Sequence, residues 1–142
     1  MGLAGALFFI PNVTYKTAFL SLVMIATLLP DIDSMNSIPG KHWYLRPLQW
    51  TTKHRGLLHS FTFCTIVSFG FAFIIPVMAF PFFLGYVSHL MGDAMTEEGI
   101  RPWWPFRKEI EGFFRTGKMT EKVIFWGLVV ICVVIVLKWL LH

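Results

Sequence analysis

The hydrophobic segments of this chain are apolar on every side of a helical wheel, and that property restricts its fold more than any other. Val123 to Leu141 is unbroken and rich in β-branched residues, and Leu57 to Ala79 is nearly as apolar. A helix on the surface of a soluble protein carries an apolar stripe with a polar back; these segments have no such back. They read as helices in lipid, where an α-helix satisfies its own backbone hydrogen bonds. The composition agrees. Of 142 residues, 56% are hydrophobic and only 14% charged, against roughly 25% charged in an ordinary soluble domain. The expected architecture is all-α: a polytopic membrane protein with about four transmembrane helices in a single domain over residues 1–142.

Proline and glycine divide the chain. Met1 to Ile10 and Thr17 to Leu29 are each too short to cross a bilayer, which takes about 20 residues. Joined through Thr14, with a kink at Pro11, they make one workable first span. A polar connector, Asp31 to Gly56, follows, with turn signals at Ser37–Gly40 and Arg46-Pro47. Leu57 to Ala79 is the second span, with Pro76 and Pro81 marking its end and a tight reversal. Phe82 to Thr96, interrupted by Gly85 and Gly92, is the third, suited to packing among other helices. A second connector, Glu97 to Lys122, precedes the last span. Cys64 and Cys132 lie inside apolar runs and read as small packing residues. No signal peptide is evident, because Met1 to Ile10 lacks a basic lead-in and a cleavage site.

Charge orients the spans. Of the 12 Lys and Arg residues only Lys16 and Lys138 fall outside the two connectors. Two spans separate the connectors, so both emerge on one side, and the positive-inside rule makes that side cytoplasmic. The net charge of +4 belongs to this asymmetry and predicts no nucleic-acid partner. Trp43, Tyr44, Trp50, Trp103 and Trp104 are placed as anchors at the membrane interface.

Three polar clusters then fall at one membrane face. Asp31 and Asp33 leave the first span, His54, Arg55 and His59 lead into the second, and His89 and Asp93 close the third. His89 and Asp93 are four residues apart, on one face of a helix, and Glu97 continues the row if the helix lasts another turn. Buried imidazoles and carboxylates are costly unless paired or metal-bound. The mixed set suits a divalent metal, with zinc, manganese and iron all compatible and zinc or manganese preferred; Asp31, Asp33, His59, His89 and Asp93 are the expected ligands. Two metals bridged by an aspartate also fit this set. A metal-activated water is then the nucleophile for hydrolysis. Arg55, with His54 beside it, completes the expected catalytic group, the guanidinium holding an anionic oxygen such as a phosphate. Plainer readings stand beside these: Asp31 closing a turn after Pro30, Arg55 as an inside-positive charge, and Ser60 and Ser88 as packing hydroxyls.

These residues resemble the YdjM-like family of bacterial inner-membrane proteins assigned as metal-dependent hydrolases. The shared pattern is Leu-Leu-Pro-Asp-x-Asp at 28–33, His-Arg-x3-His-Ser at 54–60, Gly-Tyr-x-Ser-His-x3-Asp-x2-Thr-x2-Gly at 85–99, and Trp104-Pro105. The resemblance covers residues 28 to 105 and implies a multi-pass protein of the bacterial inner membrane with a metal-dependent hydrolase activity. Members often carry a histidine ahead of the first span, whereas the first histidine here is His42. Either the metal site has one ligand fewer, or the N-terminus is shortened, or that histidine is not essential.

The leading expectation is therefore a membrane-bound hydrolase whose site faces the cytoplasm. Its substrate is a phosphoester or lipid-derived ester, taken from membrane lipid and anionic. Two other classes share the same residues: a small transporter or metal-binding membrane protein, and an interaction protein whose polar cluster only holds helices together.

Overall fold

Proline decides where these helices stop and start, because it cannot donate the backbone hydrogen bond that continues a helix. The computed structural model is all-α and describes residues 1–34, 37, 42–46, 56–97, 99–106, 109–113 and 119–141. Five α-helices lie among the described residues: α1 (Gly2–Phe9), α2 (Lys16–Leu28), α3 (Phe61–Ile74), α4 (Pro76–Ala94) and α5 (Met119–Leu141).

Two boundaries differ from the expected spans. The first apolar stretches do not join into one kinked helix. A 3₁₀ turn at Ile10–Asn12 carries Pro11, Val13 is extended (φ −110°, ψ 133°), and α2 returns alongside α1. The pairing is close: a Cβ built on Gly2 would lie 2.3 Å from the Thr27 hydroxyl, near the far end of α2. Ala6, Phe19 and Val23 bury one another along this hairpin. The second reversal falls at Ile75, earlier than Pro81, because Pro76 opens α4 rather than ending α3. The first helical position has no intrahelical partner for its N–H, so proline costs nothing there. Pro81 stays inside α4, buried.

α4 is the central helix, packed against α2, α3 and α1. Its Gly85 allows the closest approach. A Cβ there would sit 2.3 Å from the Val23 carbonyl oxygen and 2.9 Å from the Ala26 Cβ. The Thr27 hydroxyl, bonded to Val23 O at 2.8 Å, also reaches Gly85 O at 3.2 Å across this seam. Ala26, Cys64, Phe82, Tyr86, Leu90 and Ile100 form the main core.

Part of the second connector folds back onto the same end of the bundle. Ile100 and Ile110 exchange backbone hydrogen bonds of 3.0 and 2.9 Å, and Gly99 turns the chain at φ 59°. An Arg101–Glu109 ion pair closes the loop at its surface. The Pro102 carbonyl accepts from the N–H groups of Phe61 (2.9 Å) and Thr62 (3.3 Å), capping the start of α3. The end of α4 and the start of α3 are thereby held together.

Large apolar side chains remain exposed, including Ile66, Phe69, Phe73 and Ile74 on α3 and Val123, Phe125, Trp126, Val130 and Val134 on α5. Among the described residues, no helix is long and apolar enough to cross a membrane.

Candidate metal centre

Leu28 is the last residue of α2, and Pro30 begins a 3₁₀ turn over Pro30–Asp33. The turn is held by Ile32 N–H to Leu29 O (3.2 Å) and Ser34 N–H to Asp31 O (3.1 Å). It faces both aspartates toward the open end of the bundle. Asp33 is 3% exposed, whereas Asp31 is only partly covered.

His59 arrives from a second turn. Leu57–His59 form a 3₁₀ turn ahead of α3, and Ser60 caps that helix by accepting from Phe63 N–H at 3.1 Å. The same hydroxyl donates to Leu57 O at 2.7 Å. Ser60 is therefore committed to backbone, in keeping with its reading as a structural hydroxyl. Serine just before an apolar run is a helix-start signal.

His89 and Asp93 come from α4 and share one face, as their spacing implies. α4 ends at Ala94, and the Thr96 hydroxyl donates to Asp93 O at 2.7 Å just beyond it. The row stops there: Glu97 lies on the following turn, exposed.

These three segments meet. His59 Nε2 and His89 Nε2 each lie 3.3 Å from Asp93 Oδ2, and His89 Nε2 lies 3.6 Å from Asp31 Oδ1. The two imidazole centroids are 5.6 Å apart. On its other nitrogen, His59 Nδ1 stands 3.4 Å from Asp33 Oδ2. One donor atom from each of Asp31, His59 and His89 lies within 4.8 Å of the others.

Two features test whether a metal fits. His89 Nε2 is buried and makes no hydrogen bond among the described residues, although two carboxylates face it. The separations are also too long for charge-assisted hydrogen bonds, which run about 2.7–2.9 Å. A tetrahedral centre with bonds of about 2.0–2.2 Å separates its ligands by about 3.3–3.6 Å. The pairs His59–Asp93, His89–Asp93 and His89–Asp31 stand at that spacing, and nitrogen plus carboxylate oxygen is a donor set for a divalent metal. Among the described residues, three carboxylates also outnumber the two imidazoles, so their negative charge exceeds what both rings could neutralise. A divalent cation removes that cost.

Of the residues singled out in the sequence, Asp31, Asp33, His59, His89 and Asp93 are gathered here. Asp33 faces Nδ1 of His59, whereas Asp93 faces its Nε2. His54 and Arg55 lie outside the described residues. Gly85, read in the sequence as a helix-packing glycine, lets α2 and α4 close; sequence reasoning passed over two other contributors, Pro102, whose carbonyl caps α3, and the hydroxyl of Tyr86, which donates to Leu58 O. The Gly-Tyr pair at 85–86 was part of the recognised pattern, but nothing in one sequence says what its phenol would meet.

Comparison with known proteins places the chain in a family. A family model described as YdjM inner membrane protein matches residues 1–142. The inner membrane protein YdjM of Escherichia coli (strain K12) is 33% identical over 93 residues, covering 59% of this chain and 47% of its own length. The Shigella flexneri protein of the same name gives the same figures. The chain thus spans about half the length of these two relatives. The uncharacterized protein YvsG of Bacillus subtilis (strain 168) is 28% identical over 110 residues, covering 73% of this chain and 69% of its own. No solved structure matches.

Proposed function

The chain belongs to the YdjM inner membrane protein family, and on that premise we propose that it is a membrane-embedded, metal-dependent hydrolase of phosphoesters or lipid-derived esters. One observation carries the reading: His89 Nε2, buried without a hydrogen bond, stands between Asp31 and Asp93 at ligand-to-ligand distances.

Asp31, His59, His89 and Asp93 hold the ion, zinc or manganese, with His59 using Nε2. Asp33 Oδ2 faces Nδ1 of His59 at 3.4 Å, which favours the tautomer with its proton on Nδ1 and its Nε2 lone pair free to coordinate; such carboxylate–histidine pairs are usual behind metal ligands. When bound, a divalent ion supplies a Lewis acid and brings the pKa of a water near neutrality. Arg55 binds an anionic oxygen of the substrate in a paired hydrogen-bonded grip, and His54 works beside it.

The membrane setting rests on the exposed apolar surface of α3 and α5 and on the inner-membrane relatives. The hydrocarbon core of a bilayer is about 30 Å thick. α2 and α3, at 13 and 14 residues, reach only about 20 Å. The α1–α2 and α3–α4 hairpins therefore dip into the bilayer with the site at their open ends, near the headgroups. The excess of Lys and Arg in the two connectors supports a cytoplasmic face for the site under the positive-inside rule. A substrate partitioned into lipid with an anionic head suits this position.

The experiment is metal analysis of the purified chain together with turnover of phosphodiester and lipid-ester substrates in detergent. Turnover should disappear with a chelator and return with zinc or manganese. A chain carrying no metal, or turnover indifferent to chelation, rules the proposal out.

A further inference from the structure

We infer that Tyr86 is a positioning residue for the metal centre: its hydroxyl sets the turn that carries His59 against the helix that carries His89. The inference rests on the metal reading above and assigns a task to a residue that touches neither imidazole.

Tyr86 is fully buried, among the largest side chains that are. Its ring packs between Phe82 and Phe63, at centroid distances of 5.3 and 5.9 Å. A phenylalanine would fill that space as well. Tyrosine adds a hydroxyl, which a buried site tolerates only with a partner. The partner is the Leu58 carbonyl, at 2.5 Å. Leu58 is the middle residue of the 3₁₀ turn that ends at His59.

Three consecutive carbonyls of that turn are each taken by a different donor. Gly56 O accepts from His59 N–H (3.2 Å), Leu57 O from the Ser60 hydroxyl (2.7 Å), and Leu58 O from Tyr86. The first two bonds are local and shape the turn itself. The third reaches α4, three residues before His89 and so on the same side of that helix. Among these three bonds, Tyr86 alone ties the His59 turn to the helix bearing His89 and Asp93. This buried hydroxyl therefore braces the 5.6 Å separation of the two imidazoles directly, alongside the Pro102 cap at the start of α3. Without it the Leu58 carbonyl must find another donor, and the turn can rotate His59 away from Asp93.

A purely structural tyrosine would affect stability and nothing else, so the readout is metal affinity. The full chain is purified in detergent as wild type, Tyr86→Phe, and Phe19→Leu, the last a buried packing change in the other core cluster. Zinc affinity is measured by competition with a chromophoric chelator, and the coordination geometry through the visible bands of bound cobalt(II). Tyr86→Phe should weaken zinc about tenfold, the lower end of the cost of losing a group behind a metal ligand, and should shift the cobalt bands. Phe19→Leu should lower the melting temperature and leave both readouts at wild type. 4-Aminophenylalanine at position 86, a weaker donor of similar shape, should bind zinc with an affinity between those of wild type and Tyr86→Phe. If Tyr86→Phe yields no helical monomer, this variant is compared with wild type alone, and equal affinity overturns the inference. Unchanged zinc affinity and cobalt bands in folded Tyr86→Phe overturn it as well. Wild type that binds neither zinc nor cobalt overturns the metal reading beneath it.

Discussion

Two glycines on α4, seven positions apart, should respond to alanine in opposite directions. At Gly85 a new Cβ would lie 2.3 Å from the Val23 carbonyl oxygen, 2.9 Å from the Ala26 Cβ and 3.1 Å from the Thr27 nitrogen. The nearest atom is backbone, so no rotamer change relieves the clash. α2 must move away by about 1 Å to reach favourable contact distances of roughly 3.5 Å. Overpacking of this kind costs about 1–3 kcal/mol, while alanine's higher helix propensity returns about 1 kcal/mol. Because the clashing atom is backbone, overpacking wins, and Gly85→Ala should lose up to about 2 kcal/mol. At Gly92 nothing lies within 4 Å of the built Cβ, so only the propensity gain remains, up to about 1 kcal/mol. Thermal midpoints followed by circular dichroism in one detergent should therefore fall for Gly85→Ala and rise for Gly92→Ala, by a few degrees each. Because α2 leads into Asp31 and Asp33 while α4 holds His89, opening the seam should also weaken metal binding in Gly85→Ala. Midpoints shifted in the same direction would show that the α2–α4 seam is not packed as described.

The remaining predictions concern the metal and the membrane. Asp93→Asn keeps the side chain's shape but removes an anionic donor, so zinc affinity should drop at least about tenfold with the melting temperature of the metal-free protein nearly unchanged. Full metal with a depressed melting point would mean a structural His–Asp pair. Asp33→Ala should weaken zinc by about 10- to 100-fold yet reach wild-type stoichiometry at saturation; a lower stoichiometry would make Asp33 a ligand. Stripping the metal should lower the thermal midpoint, because an ion at 100 times its Kd stabilises by about 2.7 kcal/mol; equal midpoints with and without chelator would contradict a resident ion. Cysteines placed at Ser37 and Lys118 should both react only with a reagent that reaches the cytoplasmic side, and labelling of either from outside would invert the orientation.

The all-α character and most helix ends were legible in the sequence because lipid-like segments and proline leave plain marks. Which side of a proline the helix lies on was not legible. Pro76 serves as the first residue of α4, so the second span ended earlier than Ala79, and Pro11 separates two paired helices where a kink was expected. A proline is compatible with a kink, a stop or a start, and the packing partner chooses among them. Here Gly2 and Ala6 give α1 a face small enough to lie against α2, which a hairpin uses and a single span does not.

The convergence of the polar clusters was legible for a different reason. Polar residues at the ends of apolar segments are expensive wherever they are buried, so their convergence could be argued before any contact was known. What the sequence could not supply was the order among them. Asp31-x-Asp33 reads as two equivalent carboxylates, yet a turn of only Pro30–Asp33 points Asp31 at His89 and Asp33 at the far nitrogen of His59. The difference comes from the 3₁₀ geometry, in which residues two apart diverge. Each imidazole also comes from a separate segment whose position is fixed elsewhere, His59 by the capped start of α3 and His89 by the Gly85 seam. The donor atoms therefore keep their spacing only while both helix contacts hold. Packing one turn away from His89 in this way sets the spacing of the cluster.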